Sequence, residues 1–302
     1  MVGLPSSSQE LGETIDFTPD EIGEWSERKI RIVSKFAMAH TTILHAHKLK
    51  RFYIDGHCGG GLALRKGTLD PVVTTGARIL EITPPFTGYH LIDADPNKAA
   101  AMRRLCEARP NATAHCGDSN TLLPLILKTI RYDKFERALC FIDPYNISVP
   151  WDVIVSAART GVTDLFLHFP TGDVQRNVLR HDLRKVAPSY IALMNMMWGD
   201  ESWRFAAYAT EPDLFGPVTV KQPIDNLLWA FTSRMKEAGF AYVSKPLPMR
   251  NSTNAIIYHL IFATQQAVAL KVANDILSAE SMPGDQWRTG RVSSGQSRHG
   301  TR

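Results

Sequence analysis

The sequence predicts an α/β fold: a doubly wound, mostly parallel sheet with a C-terminal antiparallel hairpin. Three observations predict it. Short apolar runs alternate five times with helix-patterned segments, as strands joined by crossover helices do. Acids follow four of those runs at Asp55, Asp93, Asp118 and Asp143, so a polar crevice is expected along the carboxyl edge, where such sheets bind ligands. Two longer apolar stretches near the C-terminus, joined by a short turn, supply the hairpin.

In order, residues 1–16 contain Ser and Gly without periodicity and read as a disordered arm. Thr18-Pro19-Asp20-Glu21 reads as a helix start, with Thr at the cap and Pro in the first turn. Trp25, Ile32, Val33, Phe36, Ile43 and Leu44 then recur at helical spacing through His47. Phe52–Asp55 is the first strand, left by the turn Gly56-His57-Cys58-Gly59-Gly60-Gly61. The segment from Leu62 to Thr75 reads as a loop leading to a helix over Gly76–Ile82. Tyr89–Asp93 is the second strand, and Pro96 opens a helix to Arg109. Asn111–Cys116 is a third, short strand, turned by Gly117-Asp118-Ser119-Asn120 into a helix over Thr121–Arg131.

The fourth strand, Ala138-Leu139-Cys140-Phe141-Ile142, breaks off in Asp143-Pro144-Tyr145. Proline fixes φ and lacks an N–H, so the chain turns out of the sheet there and delivers a carboxylate and a ring to its edge. Trp151 begins a helix to Arg159, and Asp164–Phe169 is the fifth strand, closed by Pro170. Gly172 to Pro188 reads as a charged helix, and Met194–Gly199 as core or a substrate lid, with core favoured. A helix over Ile224–Ala238 precedes strands at Phe240–Leu247 and Asn254–Ala263, and Gln265–Ala279 is a last helix. The α/β unit with its N-terminal helix spans residues 17–280, and residues 281–302, rich in Ser, Gly and Arg, read as a disordered basic tail.

Composition narrows the class. The chain has 302 residues, 44% of them hydrophobic, with a net charge of +4 and no apolar run long enough to span a bilayer. Cys58, Cys106, Cys116 and Cys140 show no C-x-x-C spacing, so reduced thiols in a cytoplasmic protein without a metal site are expected. A nicotinamide dehydrogenase needs G-x-G-x-x-G opening a helix, which His57-Cys58 followed by three glycines does not supply.

Glycines after the first strand and an acid ending the second resemble the plan of class I, Rossmann-like methyltransferases. The resemblance narrows on Trp25 and Lys29, Tyr53-Ile54-Asp55 with Gly59 and Gly61, and Gly117-Asp118-Ser119. It continues through Phe141-Ile142-Asp143-Pro144-Tyr145 with Trp151, Asp164 to Pro170 with Arg176, and Trp198-Gly199. Pro248-Met249-Arg250-Asn251 before Tyr258-His259-Leu260-Ile261-Phe262-Ala263 completes it. From Trp25 to about Ala279 the chain resembles the three-Cys-motif partner (TcmP) family, whose glycine loop usually reads Asp-x-Phe-Ala-Gly-Pro-Gly. Here His57, Cys58 and Gly60 stand in place of the Phe, Ala and Pro.

The resemblance implies S-adenosylmethionine as cofactor, held by Asp55, Gly59, Gly61, Asp93, Asp118 and Ser119, and a radical-enzyme-like three-Cys-motif protein as partner. Asp143, Pro144 and Tyr145 resemble the Asp-Pro-Pro-aromatic motif of amino methyltransferases with one proline missing. They are the catalytic candidates for transfer to an amino group of a DNA or RNA base. Arg176 and Trp151 are the substrate-side candidates. A methyltransferase fold that binds nucleotide or RNA for its partner without transfer is the alternative.

Overall fold

Inner strands of a parallel sheet are covered on both faces, which is why they read as short unbroken apolar runs. The computed structural model describes residues 17–214, 216–282 and Asp285. The chain begins with β1 (Glu21–Ile22), α1 (Glu24–Ala46) and β2 (Lys50–Asp55), then β3 (Leu62–Arg65), β4 (Pro71–Val73) and α2 (Thr75–Leu80). Strand and helix then alternate through β5 (Gly88–Asp93), α3 (Pro96–Cys106), β6 (Ala112–Cys116), α4 (Ser119–Leu127), β7 (Glu136–Ile142), α5 (Trp151–Arg159) and β8 (Thr163–Phe169). There follow the short α6 (Thr171–Asp173), α7 (Pro188–Trp198), α8 (Trp203–Ala207) and the strands β9 (Tyr208–Asp213) and β10 (Gly216–Lys221). The chain closes with α9 (Ile224–Glu237), β11 (Tyr242–Val243), β12 (Leu247–Arg250), β13 (Ile256–Thr264) and α10 (Ala267–Ala279).

The large sheet runs β11-β13-β8-β7-β2-β5-β6, with β12 also on β13. The four pairings that join β8, β7, β2, β5 and β6 are all parallel, and β13 lies antiparallel to β8. Tyr53 stands opposite both Tyr89 and Leu139, so the first, second and fourth parallel strands lie side by side and end within two residues of one another. Alternation sorts β7 between two cores. Leu139 and Phe141 join Phe36, Tyr53, Phe166 and Phe262 beneath α1 and α10. Ala138, Cys140 and Ile142 join Ile54, Leu165 and Phe231 beneath α4, α5 and α9. Among the described residues no helix is long and apolar enough to cross a membrane.

Several local expectations give way to pairing that sequence periodicity does not carry. The segment after the glycine turn is not all loop, because β3 pairs with β4 and, in parallel, with β1 at Glu21↔Leu64. That pairing extends the chain before Gly23, so α1 starts after Gly23 and not at Thr18. Gly172–Pro188 is not one helix: α6 runs into a wide turn over Val174–Val178, and Asp182 accepts from its own Arg184 N–H at 3.0 Å. The hairpin forms in part. Its first strand is interrupted between Val243 and Leu247, where Pro246 has no N–H to give. The Ser244 hydroxyl instead accepts the Phe262 N–H at 3.0 Å. Residues 1–16 and most of the expected tail lie outside the described residues. Asp285, within the expected tail, has a buried carboxylate that pairs with Arg28 at 2.8 Å and Arg250 at 3.1 Å.

Phe166 is fully buried, edge-on to Phe36 at 5.2 Å and tilted against Phe262 at 4.8 Å. Phe166→Ala should therefore destabilise the fold by about 3–5 kcal/mol in urea unfolding, the range for deleting a buried ring.

Candidate functional site

Asp55 ends β2 with no exposure and starts the glycine turn from below. Its carboxyl accepts from the Tyr53 hydroxyl at 2.8 Å and the His57 N–H at 3.0 Å. Burial pushes it up to about 7 against those two bonds. Gly59 and Gly61 take φ of +67° and +92°, a region other residues rarely enter. The Gly59 N–H donates to Asp93 at 2.9 Å, and the other Asp93 oxygen accepts from Asp95 N–H at 2.9 Å. A Cβ on Gly60 would come within 2.2 Å of the Phe17 ring, so this aromatic lies directly on the turn.

Asp118 caps α4, accepting from the Asn120 N–H at 3.1 Å and the Thr121 hydroxyl at 3.0 Å. Ser119 is buried with its Oγ 3.2 Å from His57 Nε2. His57 Nδ1 accepts the Asp143 N–H at 3.3 Å, so the ring bridges the glycine turn, α4 and the end of β7.

Asp143 is the centre of a cluster drawn from three other elements. Its Oδ2 pairs with the ammonium of Lys29 from α1, and its Oδ1 lies 2.7 Å from Nδ1 of His168 on β8. The His168 ring stacks on Tyr258 of β13 at 3.8 Å, and Lys29 Nζ stands 5.3 Å from the Tyr258 ring centre. The Tyr258 hydroxyl donates to the Trp25 carbonyl at 3.2 Å. Burial alone would push the Asp143 carboxyl up, but Lys29 and His168 outweigh it and hold it below the usual carboxylate range. Burial lowers both His168 and His57, while Asp143 acts against it in each. Beside them Tyr145 is 80% exposed, with its hydroxyl donating to Asp20 at 2.9 Å. Lys98 reaches the same Asp20 oxygen at 2.6 Å.

These groups surround a cleft of about 290 Å³, near the lower end for small-molecule sites. Gly59, Asp143, Pro144 and Tyr145 line it, together with Lys29, His57, His168 and Tyr258. Asp55, Asp93, Asp118 and Ser119 stand behind that wall, in contact with the glycine turn or with α4. The structure does not bring Trp151 or Arg176 to the cleft. Trp151 packs at the head of α5 against Phe231, 5.7 Å away, with the Arg234 guanidinium 5.1 Å from its ring. Arg176 is exposed in the wide turn after α6. A larger, more apolar hollow of about 400 Å³ opens at the opposite edge, beside His40 and Asp164, away from the carboxyl ends of the strands.

Sequence reading missed His57, His168 and Tyr258 as site residues and took Lys29 only as a mark of resemblance. A signal existed for two of them. Lys29 falls four residues after Trp25 and four before Val33, on the apolar stripe of α1, and His168 interrupts the run Leu165-Phe166-Leu167.

No family model matches the chain, and no curated protein matches its sequence. Similar solved structures include a Legionella pneumophila protein at 11% identity, covering 85% of this chain and 94% of that one with a TM-score of 0.49. Others are Aeropyrum pernix fibrillarin with natively bound S-adenosyl-L-methionine (10% identity, 72% and 66% covered, TM-score 0.34) and Thermotoga maritima spermidine synthase (11%, 82% and 62%, TM-score 0.39). At such identities and scores these similarities assign no activity.

The two kinds of buried acid give opposite pH dependences. Asp55 and Asp164 are each pushed up to about 7 by burial, so between about pH 4 and 7 the native state holds protons that the unfolded chain has released. Stability should fall as pH rises through that window, and Asp55→Asn should flatten the fall. Asp143, held low, should withdraw its contribution only as pH drops below about 4. Urea unfolding from pH 3 to 8 measures both limbs.

Proposed function

We propose that this chain is an S-adenosylmethionine-dependent methyltransferase acting on an amino group, that of a nucleic-acid base, alongside a three-Cys-motif partner protein. One observation carries the reading: the glycine turn and Asp143-Pro144-Tyr145 face a single cleft at the carboxyl edge of the parallel sheet. The residues fit the cofactor in kind. Gly59 lines the cleft without a side chain, and Asp93 stands directly behind it as a carboxylate for ribose hydroxyls. Phe17 covers Gly60, so a ligand seated on the turn shares its wall with that ring.

The bound cofactor would supply an electrophilic methyl group. The chain's own residues orient and activate the acceptor. An amino group on an aromatic ring is a poor nucleophile because its lone pair is delocalised. Hydrogen bonds from it to the Asp143 carboxylate and the Pro144 carbonyl localise that pair as the new bond forms, which raises rate more than affinity. Lys29 keeps Asp143 anionic for this purpose. The exposed Tyr145 ring offers a face for a base to stack on, worth about 1–3 kcal/mol. With no metal-ligand spacing in its own sequence, the chain leaves any iron–sulfur or radical step to the partner.

A second reading has one observation in its favour. Both Asp143 oxygens already hold partners within the chain, as expected of a module that binds nucleotide or RNA without transfer.

Labelled-methyl transfer to total nucleic acid decides between them. Wild type should transfer, Asp143→Ala should abolish transfer with cofactor binding nearly intact, and Tyr145→Ala should chiefly weaken acceptor binding. Full activity in Asp143→Ala would sink the mechanism. In calorimetry, Asp93→Ala should lose about 1.5–3 kcal/mol of S-adenosylmethionine affinity, one charge-assisted hydrogen bond. No binding by wild type at millimolar cofactor would favour the module instead.

A further inference from the structure

We propose that His168 is the proton acceptor of this cleft, and that the site therefore selects a nucleophile with a proton to lose, an amino N–H or a hydroxyl. The proposal rests on the transferase reading above and names the group that completes it. Asp143 is the obvious acid at the site, yet it is badly suited to keep a proton. Lys29 and His168 occupy its two oxygens, and its carboxyl lies below the usual range. It serves instead as the group that orients the base.

The tautomer of His168 follows from its neighbours. An ionised carboxylate only accepts, so the ring nitrogen 2.7 Å from Asp143 Oδ1 carries the hydrogen. Burial and Lys29 oppose the imidazolium, and in the neutral ring so held Nε2 keeps its lone pair. Among the described residues no hydrogen bond to Nε2 is present, while the ring lines the cleft with Pro144 and Tyr145. Tyr258 stacks at 3.8 Å and fixes the ring plane. A carboxylate holding one imidazole nitrogen so that the other acts as base is a recurring catalytic device.

The groups facing His168 come from every neighbouring element: Asp143 after β7, Lys29 on α1, Tyr258 on β13 and His57 in the glycine turn. Asp143 favours the imidazolium, whereas Lys29 and burial oppose it. The step balances. The nucleophile's lone pair forms the bond to the methyl carbon, and the carbon–sulfur bond of the sulfonium donor breaks with its pair left on sulfur. The N–H or O–H pair stays with the nucleophile while its proton passes to Nε2. The positive charge lost at sulfur reappears on His168 beside the Asp143 carboxylate, so the net charge of the cleft does not change.

The first test needs no activity. Nitrogen NMR of histidine-labelled wild type at pH 7, with His168 assigned by its loss in His168→Gln, should show an Nδ1–H, Nε2-bare ring whose signals shift in Asp143→Asn. An Nε2–H ring, or an imidazolium at pH 7, would overturn the proposal. In the transfer assay His168→Gln should lower turnover about 10²- to 10⁴-fold. Its S-adenosylmethionine affinity by calorimetry should stay within about twofold. Wild-type turnover should fall only at a pH below the ordinary histidine range, because burial lowers the ring, and that limb should vanish in the variant. Unchanged turnover in His168→Gln would also overturn it. Failure of wild type to bind cofactor would remove the transferase reading and the reaction with it. A wrong tautomer alongside intact cofactor binding would remove only His168.

Discussion

The Lys29–Asp143 ion pair joins the first helix to the end of β7 across 114 residues of sequence, and the site depends on it. Both side chains are mostly hidden, at 9% and 19% exposure. Burying two charges costs free energy that their attraction offsets only when geometry and further hydrogen bonds are good. His168 supplies the further bond on Asp143, and Tyr258 presents its ring to both Lys29 and His168. Losing one partner would strand a buried charge, so α1, β7, β8 and β13 are tied together at this point. At the entry to α1, a Cβ on Gly23 would come within 2.2 Å of the Trp25 ring, so that position has no room for a side chain.

The sheet was legible because its strands are bounded by local chemistry. Phe52–Asp55, Tyr89–Asp93 and Asp164–Phe169 end where β2, β5 and β8 end, because acids and Pro170 stop an apolar run in any context. The small sheet of β1, β3 and β4 was not legible. Two residues of β1 acquire strand geometry only by meeting β3, and two residues have no periodicity to read. The site divides in the same way. The glycine turn and Asp143-Pro144-Tyr145 are contiguous and could be found, whereas Lys29, His168 and Tyr258 arrive from three elements. Trp151 and Arg176 are candidates through the family resemblance, but the chain carries Trp151 under α9 and leaves Arg176 on the surface.

The four acids at strand ends suggested one acid-lined crevice, and the structure gives them four different tasks. Asp55 anchors the glycine turn from inside the core, Asp93 holds it from the side, and Asp118 caps α4. Only Asp143 faces the cleft. Strand-end acids are favoured wherever backbone N–H groups turn out of a sheet, since each accepts the bonds the ladder no longer makes. Such a row marks the edge of a sheet more firmly than it marks chemistry, and the acid that stands apart is the one paired with a buried cation.

The cleft therefore has a fixed floor and a lightly held outer wall. The floor is the Lys29–Asp143–His168–Tyr258 cluster, whose buried charges resist rearrangement. The wall is the chain from Phe17 to Gly23, attached by the short β1–β3 pairing and by Asp20, which meets Lys98 and Tyr145. Asp20 is 44% exposed, and ion pairs in contact with water contribute about 0–1 kcal/mol. Moving the wall thus costs far less than moving the floor. Tyr145 donates its hydroxyl to Asp20 of that wall, so the exposed ring and the wall are joined. One exposed carboxylate thus ties the wall to the Tyr145 ring, above a floor of buried charges.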